Sequence, residues 1–454
     1  MNETLSWATS NFGNVNLYDR RRTNRLINIA ARLAENKGVS LAQLFDSWYD
    51  IKAVYNLLKV PVMHPDIIQS NHRELTFERM VAFQGHVLAI EDSSEFDWNG
   101  NEPIEGLGPV GSGRESDQGF ILHSTLAVGV TENSTEILGL PFQQYYVRPP
   151  KREKRVKRSS SDEYIETDLW REVIKQKAIP SAEKIIRVCD RGADIYEVMT
   201  ETHDYGSNYI IRLKHDRAII DEENHIKSLV HGLSSMGEVS IEVRGRNGTE
   251  RRTIVLQVNW IKTKLRAPSR PGIGIGTLSP LDVYVVHVCG VDSETSDRIE
   301  WFLYTNMAIS SLKDANRIIK YYTMRWTIED YHKAFKSGMK AENLQLESAQ
   351  ALFAAIAIMS IVALRLVSIR EAVRGRQDSP ASESGLDEFE LKVLGAYLKR
   401  ELKTVKCVGL AIGRLGGHQN RKGDGMPGLM TLWKGLSRLI QLVEGAKLAS
   451  KLNF

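Results

Sequence analysis

Apolar residues along this chain fall first into a helical rhythm, then into an extended one, and finally return to helix. Near the N-terminus Leu26, Ile29, Ala30 and Leu33 recur every three or four residues, with Arg21, Arg25 and Arg32 on another face. That spacing predicts an amphipathic helix, and residues 47–58 predict a second one for its apolar face to pack on. From Val87 the pattern becomes extended. Residues 87–91, 120–130 and 136–146 read as strands, the last two antiparallel across the turn-forming Glu132-Asn133-Ser134. A helix over about 169–177 leads into a further strand at 185–189. Residues 209–214, 239–244, 253–258, 281–288 and 301–304 are strand-like again, and Asn247-Gly248 suits a hairpin turn because both residues tolerate positive φ. From residue 322 helices return, interrupted by a polar, turn-rich linker at 374–385.

Composition alters this picture little. A chain of 454 residues can bury a substantial core and is expected to hold more than one domain. Its formal net charge of +4 does not announce a nucleic-acid partner, so the clustering of cations matters more. The densest cluster, residues 148–158, mixes prolines with like charges and reads as an exposed loop. Cys189, Cys289 and Cys407 lack C-x-x-C spacing, so neither a disulfide framework nor a zinc site is suggested, and a reducing cytoplasm fits. The opening residues lack the basic-then-apolar order of a secretory signal. The longest apolar run, 351–364, stops at Arg365, short of the roughly 20 residues a bilayer demands. It is expected to be a buried core helix, with no membrane partner.

Two aspartates stand where apolar strands are expected to end: Asp92 after 87–91, and Asp190 after 185–189. In an open α/β sheet, polar residues at strand ends line the crevice where ligands bind. A third acid, Glu329, lies within 322–336. Read as one helix at about 100° per residue, Tyr322, Arg325, Glu329 and Lys336 share a stripe only about 60° wide. Alone, such a stripe also describes an ordinary solvated face. Joined to the two aspartates it describes a phosphodiester site. The carboxylates suit Mg²⁺ or Mn²⁺, hard ions that take oxygen ligands, while Arg325, Lys336 and the Tyr322 hydroxyl suit phosphate oxygens. His123 lies within a strand, where a lone histidine is usually structural, and is left outside the site.

The spacing Y-x2-R-x3-E-x6-K is met by Tyr322, Arg325, Glu329 and Lys336. Around it stand Ile90-Glu91-Asp92-Ser93, the block Val188-Cys189-Asp190-Arg191-Gly192-Ala193-Asp194, Arg414-Leu415-Gly416-Gly417 and Asp424-Gly425-Met426-Pro427-Gly428. With these blocks in order, the chain resembles the D-D-E transposases of bacterial insertion sequences. More narrowly it resembles their Y-R-E-K subclass, the insertion-sequence-four family, which includes cut-and-paste transposases of composite transposons. The resemblance runs through nearly the whole chain. It implies an α/β fold with a ribonuclease-H-like (retroviral-integrase-like) catalytic core and a β-rich insertion at about 207–308, flanked by helical N- and C-terminal domains. The 138 residues between Asp190 and Glu329 leave room for that insertion. The implied domains are 1–72 for binding the transposon end, 73–375 for catalysis and 376–454 for dimer contacts.

The resemblance also implies roles. Asp92, Asp190 and Glu329 are the expected catalytic and metal-binding residues, holding two Mg²⁺ ions with Mn²⁺ as a substitute. Arg21, Arg22 and Arg25 are expected to recognise the transposon end. Tyr322, Arg325, Lys336, Arg212 and Lys214 are expected to bind DNA at the active site, and Trp301 to support a base extruded as a DNA hairpin forms. Trp301 has an ordinary reading too, since an aromatic in a strand is usually core. Expected partners are double-stranded DNA, as transposon ends and target, and a second copy of the chain in the DNA-bound complex. The expected location is the bacterial cytoplasm, at the nucleoid when bound to DNA. Two other classes stay open: a same-fold nuclease or resolvase that cuts without joining, and a non-catalytic DNA-binding inhibitor of transposition.

Overall fold

The computed structural model describes residues 3–36, 38–98, 102–111, 117–132, 134–149, 165–175, 182–220, 225–243, 252–269, 278–292, 298–375, 377–421 and 424–452. The expected hairpin turn at Asn247-Gly248 and most of the basic run at 148–158 lie outside them. Helices α1 (Glu3–Phe12), α2 (Arg20–Glu35), α3 (Trp48–Leu58), α4 (Pro65–Ile68) and α5 (Ser70–Ala82) come first. As its spacing predicts, α2 buries Leu26, Ile29, Ala30 and Leu33. Asp19 caps it, accepting from the Arg21 N–H at 2.8 Å and so satisfying one of the first-turn donors that have no helical partner.

A sheet then begins with β1 (His86–Asp97), β2 (Gly108–Pro109), β3 (Gln118–Val130) and β4 (Thr135–Tyr146). Strand β3 pairs antiparallel with β4, as the sequence predicts, and also with β1. Helix α6 (Leu169–Lys175) precedes β5 (Ile185–Cys189), which pairs parallel with β1. Helix α7 (Tyr196–Asp204) carries the chain to β6 (Asn208–Arg212), parallel to β5. Every residue of β5 is buried, as in a central parallel strand covered on both faces. This central mixed sheet with flanking helices is consistent with a ribonuclease-H-like core.

The segment expected to be an insertion continues the same sheet. After α8 (Ile226–His231) come β7 (Gly237–Val243), β8 (Arg252–Leu265), β9 (Leu281–Val291) and β10 (Arg298–Thr305), each antiparallel to the next. Because β10 pairs with β6, the described strands follow the order β2-β3-β1-β5-β6-β10-β9-β8-β7, with β4 on β3. Strand β6 falls inside the expected 207–308 span, yet its parallel pairing with β5 makes it part of the core half. Alternation along β10 sends Trp301 and Leu303 into one hydrophobic cluster and Phe302 and Tyr304 into another on the opposite face.

The single helix expected over 322–336 is broken. Helix α9 (Leu312–Thr323) ends, the chain turns through Met324 and Arg325, and α10 (Trp326–Lys333) passes into a π-helical turn at Ala334–Gly338. Helix α11 (Ala349–Gly375) has 27 residues, longer than the apolar run that predicts it and long and apolar enough to cross a bilayer by composition. Its most apolar window is 83% buried within the protein, where it packs on β4, α2, α3 and α10. The charges that end the apolar run are accommodated: Arg365 lies over the Trp7 ring and Arg370 pairs with Asp330 of α10. Helices α12 (Glu388–Leu398), α13 (Val405–Leu415) and α14 (Leu429–Lys451) pack together, and residues of all three belong to the cluster that contains α2 and α11.

Candidate active site

Asp92 does not end its strand. Strand β1 runs on to Asp97 because β3 still pairs with it, from Asp92↔Ser124 to Asp97↔Gly119. Pairing with β5 stops at Glu91↔Cys189. Asp92 is therefore the first β1 residue beyond its parallel neighbour, and Asp190 directly follows β5, so both open on one crevice. Asp190 caps the turn after β5, its Oδ1 accepting from the Gly192 N–H at 2.7 Å. A Cβ on Gly192 would stand 2.9 Å from that oxygen and from the Trp170 ring, so a larger residue here would have to displace both. On the opposite face of β1, Glu91 receives both ends of the Arg187 guanidinium at 2.6 Å. Arg187 also donates to the Thr202 hydroxyl and the Trp170 carbonyl, each at 2.7 Å. Burial drives the Glu91 carboxyl upward, but Arg187 outweighs it and holds the group below the usual carboxylate range. The two strands that carry Asp92 and Asp190 are thereby tied from beneath.

Successive residues of α10 have different partners. Asp330 pairs with Arg370, and the Tyr331 hydroxyl accepts from Gln143 at 3.0 Å, which together anchor α10 to α11 and β4. With that face fixed, Glu329 is exposed toward the crevice and His332 Nδ1 lies 3.7 Å from Asp92 Oδ2. Arg325 donates to Glu329 and stands 4.0 Å from Asp92, bridging the two acids. Burial, and next the charge of Asp190, push the Asp92 carboxyl up to about 7; Arg325 and the Ser93 N–H pull it down, and Glu329 raises it further. Asp92 thus feels the charges of both Asp190 and Glu329, although among the described residues the three acids do not bring their carboxylate oxygens within 4.8 Å of one another.

That site fits a divalent cation. Its donors are carboxylate oxygens, which suit a hard cation, and the buried His332 Nε2 has no protein hydrogen-bond partner. Burial, with Lys336 and His123 nearby, lowers His332 to about 3, so its ring beside Asp92 is neutral. His332 escapes a reading of the acids alone. The signal for it is the Glu329-x-x-His332 spacing, which places both on adjacent positions of a helix surface.

The remaining predicted residues are less uniformly placed. Tyr322 is buried in the wall of the site, its ring edge-on to Trp301 at 5.5 Å, and burial raises its hydroxyl above the ordinary value. Trp301 is only 8% exposed and also meets Trp326 at 6.3 Å, so in this conformation it occupies a core position. Lys336 lies in the π-helical turn that follows α10. Its ammonium donates to the Glu95 carbonyl at 2.6 Å and pairs with Glu342 at 2.9 Å, further along β1. Arg212 is part-buried and donates to the Glu300 carbonyl at 3.3 Å, while Lys214 is exposed. Both line a cavity of about 160 Å³ with Arg191, Lys227 and Glu300. Buried Asp194 supports that cavity by accepting from the Lys214 and His215 N–H groups at 2.6 and 2.7 Å and pairing with Arg217 at 2.6 Å. On α2, Arg21 and Arg25 are exposed, whereas Arg22 is half-buried and donates to the Leu17 carbonyl at 3.4 Å. A larger cavity, about 490 Å³, lies among β7, α9, α10 and the end of α11, and none of the three acids lines it.

Three family models match the chain in order. A transposase DNA-binding model covers residues 4–61, a transposase DDE domain model residues 144–365, and a transposase Tn5 dimerisation domain model residues 395–453. The DDE match includes Asp190 and Glu329, while Asp92 lies before it. The chain therefore carries the DNA-binding, DDE and Tn5-type dimerisation domains of a DNA transposase.

Proposed function

We propose that this protein is a cut-and-paste transposase of the Y-R-E-K subclass that binds both ends of an insertion sequence, cuts them and joins the 3′ ends to target DNA. The observation that supports this reading is Arg325 lying between Asp92 and Glu329, with Asp190 at the end of the strand paired beside Asp92. DDE transposases generally use divalent metal ions. Two Mg²⁺ ions, or Mn²⁺ in their place, held by Asp92, Asp190 and Glu329 would supply Lewis-acid chemistry at the scissile phosphodiester.

The chain's own residues do the rest. Asp92, Asp190 and Glu329 would be the ligands, and Asp92, raised to about 7, would have to lose its proton to serve as one. Arg325 keeps Asp92 and Glu329 oriented and turns toward the scissile phosphate when DNA enters. His332 packs against Asp92 and fixes its rotamer. Arg212, Lys214, Tyr322 and Lys336 bind the strand on either side of the cut, joined by Arg191 and Lys227 in the small basic cavity. Hydrolysis frees a 3′-hydroxyl, which attacks the opposite strand to form a hairpin; Trp301, turned out from Tyr322 and Trp326, supports the extruded base. The reopened end then attacks target DNA.

Residues 1–72 bind the transposon end through Arg21, Arg22 and Arg25, residues 73–375 form the catalytic domain, and residues 376–454 make the dimer of the DNA-bound complex, in the bacterial cytoplasm. The test is to incubate the protein, Mg²⁺ and a DNA carrying the element's two ends with a plasmid. Joined plasmid products are expected. Cleaved ends that are never joined would leave a nuclease, and bound but uncut ends a non-catalytic inhibitor.

A further inference from the structure

Three side chains outside the carboxylate site converge on the face of β10 opposite Trp301. The ligand atoms of His231, His287 and Glu300 lie within 4.8 Å of one another, the one such group among the described residues. His231 Nε2 and His287 Nε2 stand 2.9 and 3.1 Å from the same carboxylate oxygen, Glu300 Oε1. The rings are held in place: His287 stacks on Phe302 at 4.4 Å, and His231 meets the same ring edge-on at 5.5 Å. Burial lowers His287, so its ring is neutral near pH 7. Burial works against the Glu300 charge, but hydrogen bonds from His231 and His287 and the charge of Arg298 hold its carboxyl down to about 2.

We propose that His231, His287 and Glu300 form a second cation site, specific for a borderline transition-metal ion such as Zn²⁺, with a fourth position left open. Tetrahedral ligands at about 2.0 Å from an ion stand about 3.3 Å apart, close to the separations between Glu300 and each histidine. Two imidazoles and a carboxylate favour Zn²⁺ over Mg²⁺, whereas the oxygen-only donors at Asp92, Asp190 and Glu329 favour Mg²⁺. Arg298 Nη2 also touches Glu300 Oε1, at 3.2 Å, but its side chain is largely exposed and can swing into solvent when an ion arrives. Glu300 faces the cavity of Arg191, Arg212, Lys214 and Lys227 as well. An ion held here adds positive charge at the rim of that phosphate-sized cavity and pins the end of α8, which carries Lys227, against β9 and β10.

The test is equilibrium dialysis of the full chain with Zn²⁺ in excess Mg²⁺, together with Co²⁺ absorption spectra. A single Zn²⁺ is expected to be retained, equally by the wild type and by Asp190→Asn/Glu329→Gln, and Co²⁺ should give the visible bands of a tetrahedral site. His231→Ala, at a half-exposed helix end, and Glu300→Gln should each weaken Zn²⁺ retention by at least about tenfold with an unchanged circular dichroism spectrum. No retained Zn²⁺, displacement by Mg²⁺, or loss in the carboxylate variant but not in His231→Ala would each overturn the assignment.

Discussion

Breaking the Glu91–Arg187 pair should loosen the platform on which Asp92 and Asp190 stand. Both side chains are almost fully buried, and Arg187 makes charged hydrogen bonds to Glu91 as well as bonds to Thr202 and Trp170. Glu91→Leu leaves a buried guanidinium without its counter-charge, and Arg187→Met leaves a buried carboxylate with His123 Nε2 3.7 Å away. Removing one partner of such a pair costs about 3–5 kcal/mol, a large share of the roughly 5–15 kcal/mol that holds a domain folded. Replacing both partners by apolar residues of similar volume removes the stranded charge, so Glu91→Leu/Arg187→Met should lose less than either single variant. Native-state hydrogen exchange of β1 and β5 amides, which reports local as well as global opening, measures all three. Single variants losing under about 1 kcal/mol, or a double variant equal to the sum of the singles, would refute the reasoning.

Other predictions follow from charge and pH. Asp92 rises from 3.8 to about 7 in the folded protein, so its contribution to stability without metal is present below its unfolded value and lost as pH rises through about 7. Mg²⁺ must displace that proton. Its affinity should therefore climb with pH up to about 7, and calorimetry in buffers of different ionisation heat should detect proton release; a flat profile would contradict the shared site. His72 has the opposite linkage. Burial, then Arg79 and Arg73, lower it from 6.5 to about 3, and its ring joins Asn11 at 2.8 Å and the Leu140 N–H at 3.1 Å. Stability from this group is full above pH 6.5 and lost as pH falls toward 3, and His72→Gln should flatten the acid side of a melting-temperature profile. Finally, if Arg21 and Arg25 each neutralise one end phosphate, Arg21→Ala/Arg25→Ala should reduce the slope of log affinity against log salt by about 1.8. An unchanged slope would place these arginines off the DNA.

Much of the site is legible in the sequence where local pattern decides structure. The mostly apolar run Ile185–Cys189, interrupted only by Arg187, becomes a strand buried throughout, and the acid that follows it stands at the crevice. Asp92 is harder to place: Ser93, Ser94 and Glu95 look like a loop, but pairing with β3 keeps them extended, and that pairing is a long-range fact. The break at Met324-Arg325 carries neither proline nor glycine, so a straight helix is the natural expectation there. Sheet order is equally hidden, because strand pattern tells nothing of partner. His231 and Glu300 are 69 residues apart and share a site only because β10 pairs with β9 beneath α8.

The central claim is that Asp92, Asp190 and Glu329 act together to cut DNA. The most direct measurement is cleavage of a labelled DNA end in Mg²⁺ by Glu329→Gln, which preserves side-chain size and removes the charge, with binding followed in parallel by gel shift. The account predicts full end binding and no detectable cutting. Cleavage by this variant at the wild-type rate would contradict it.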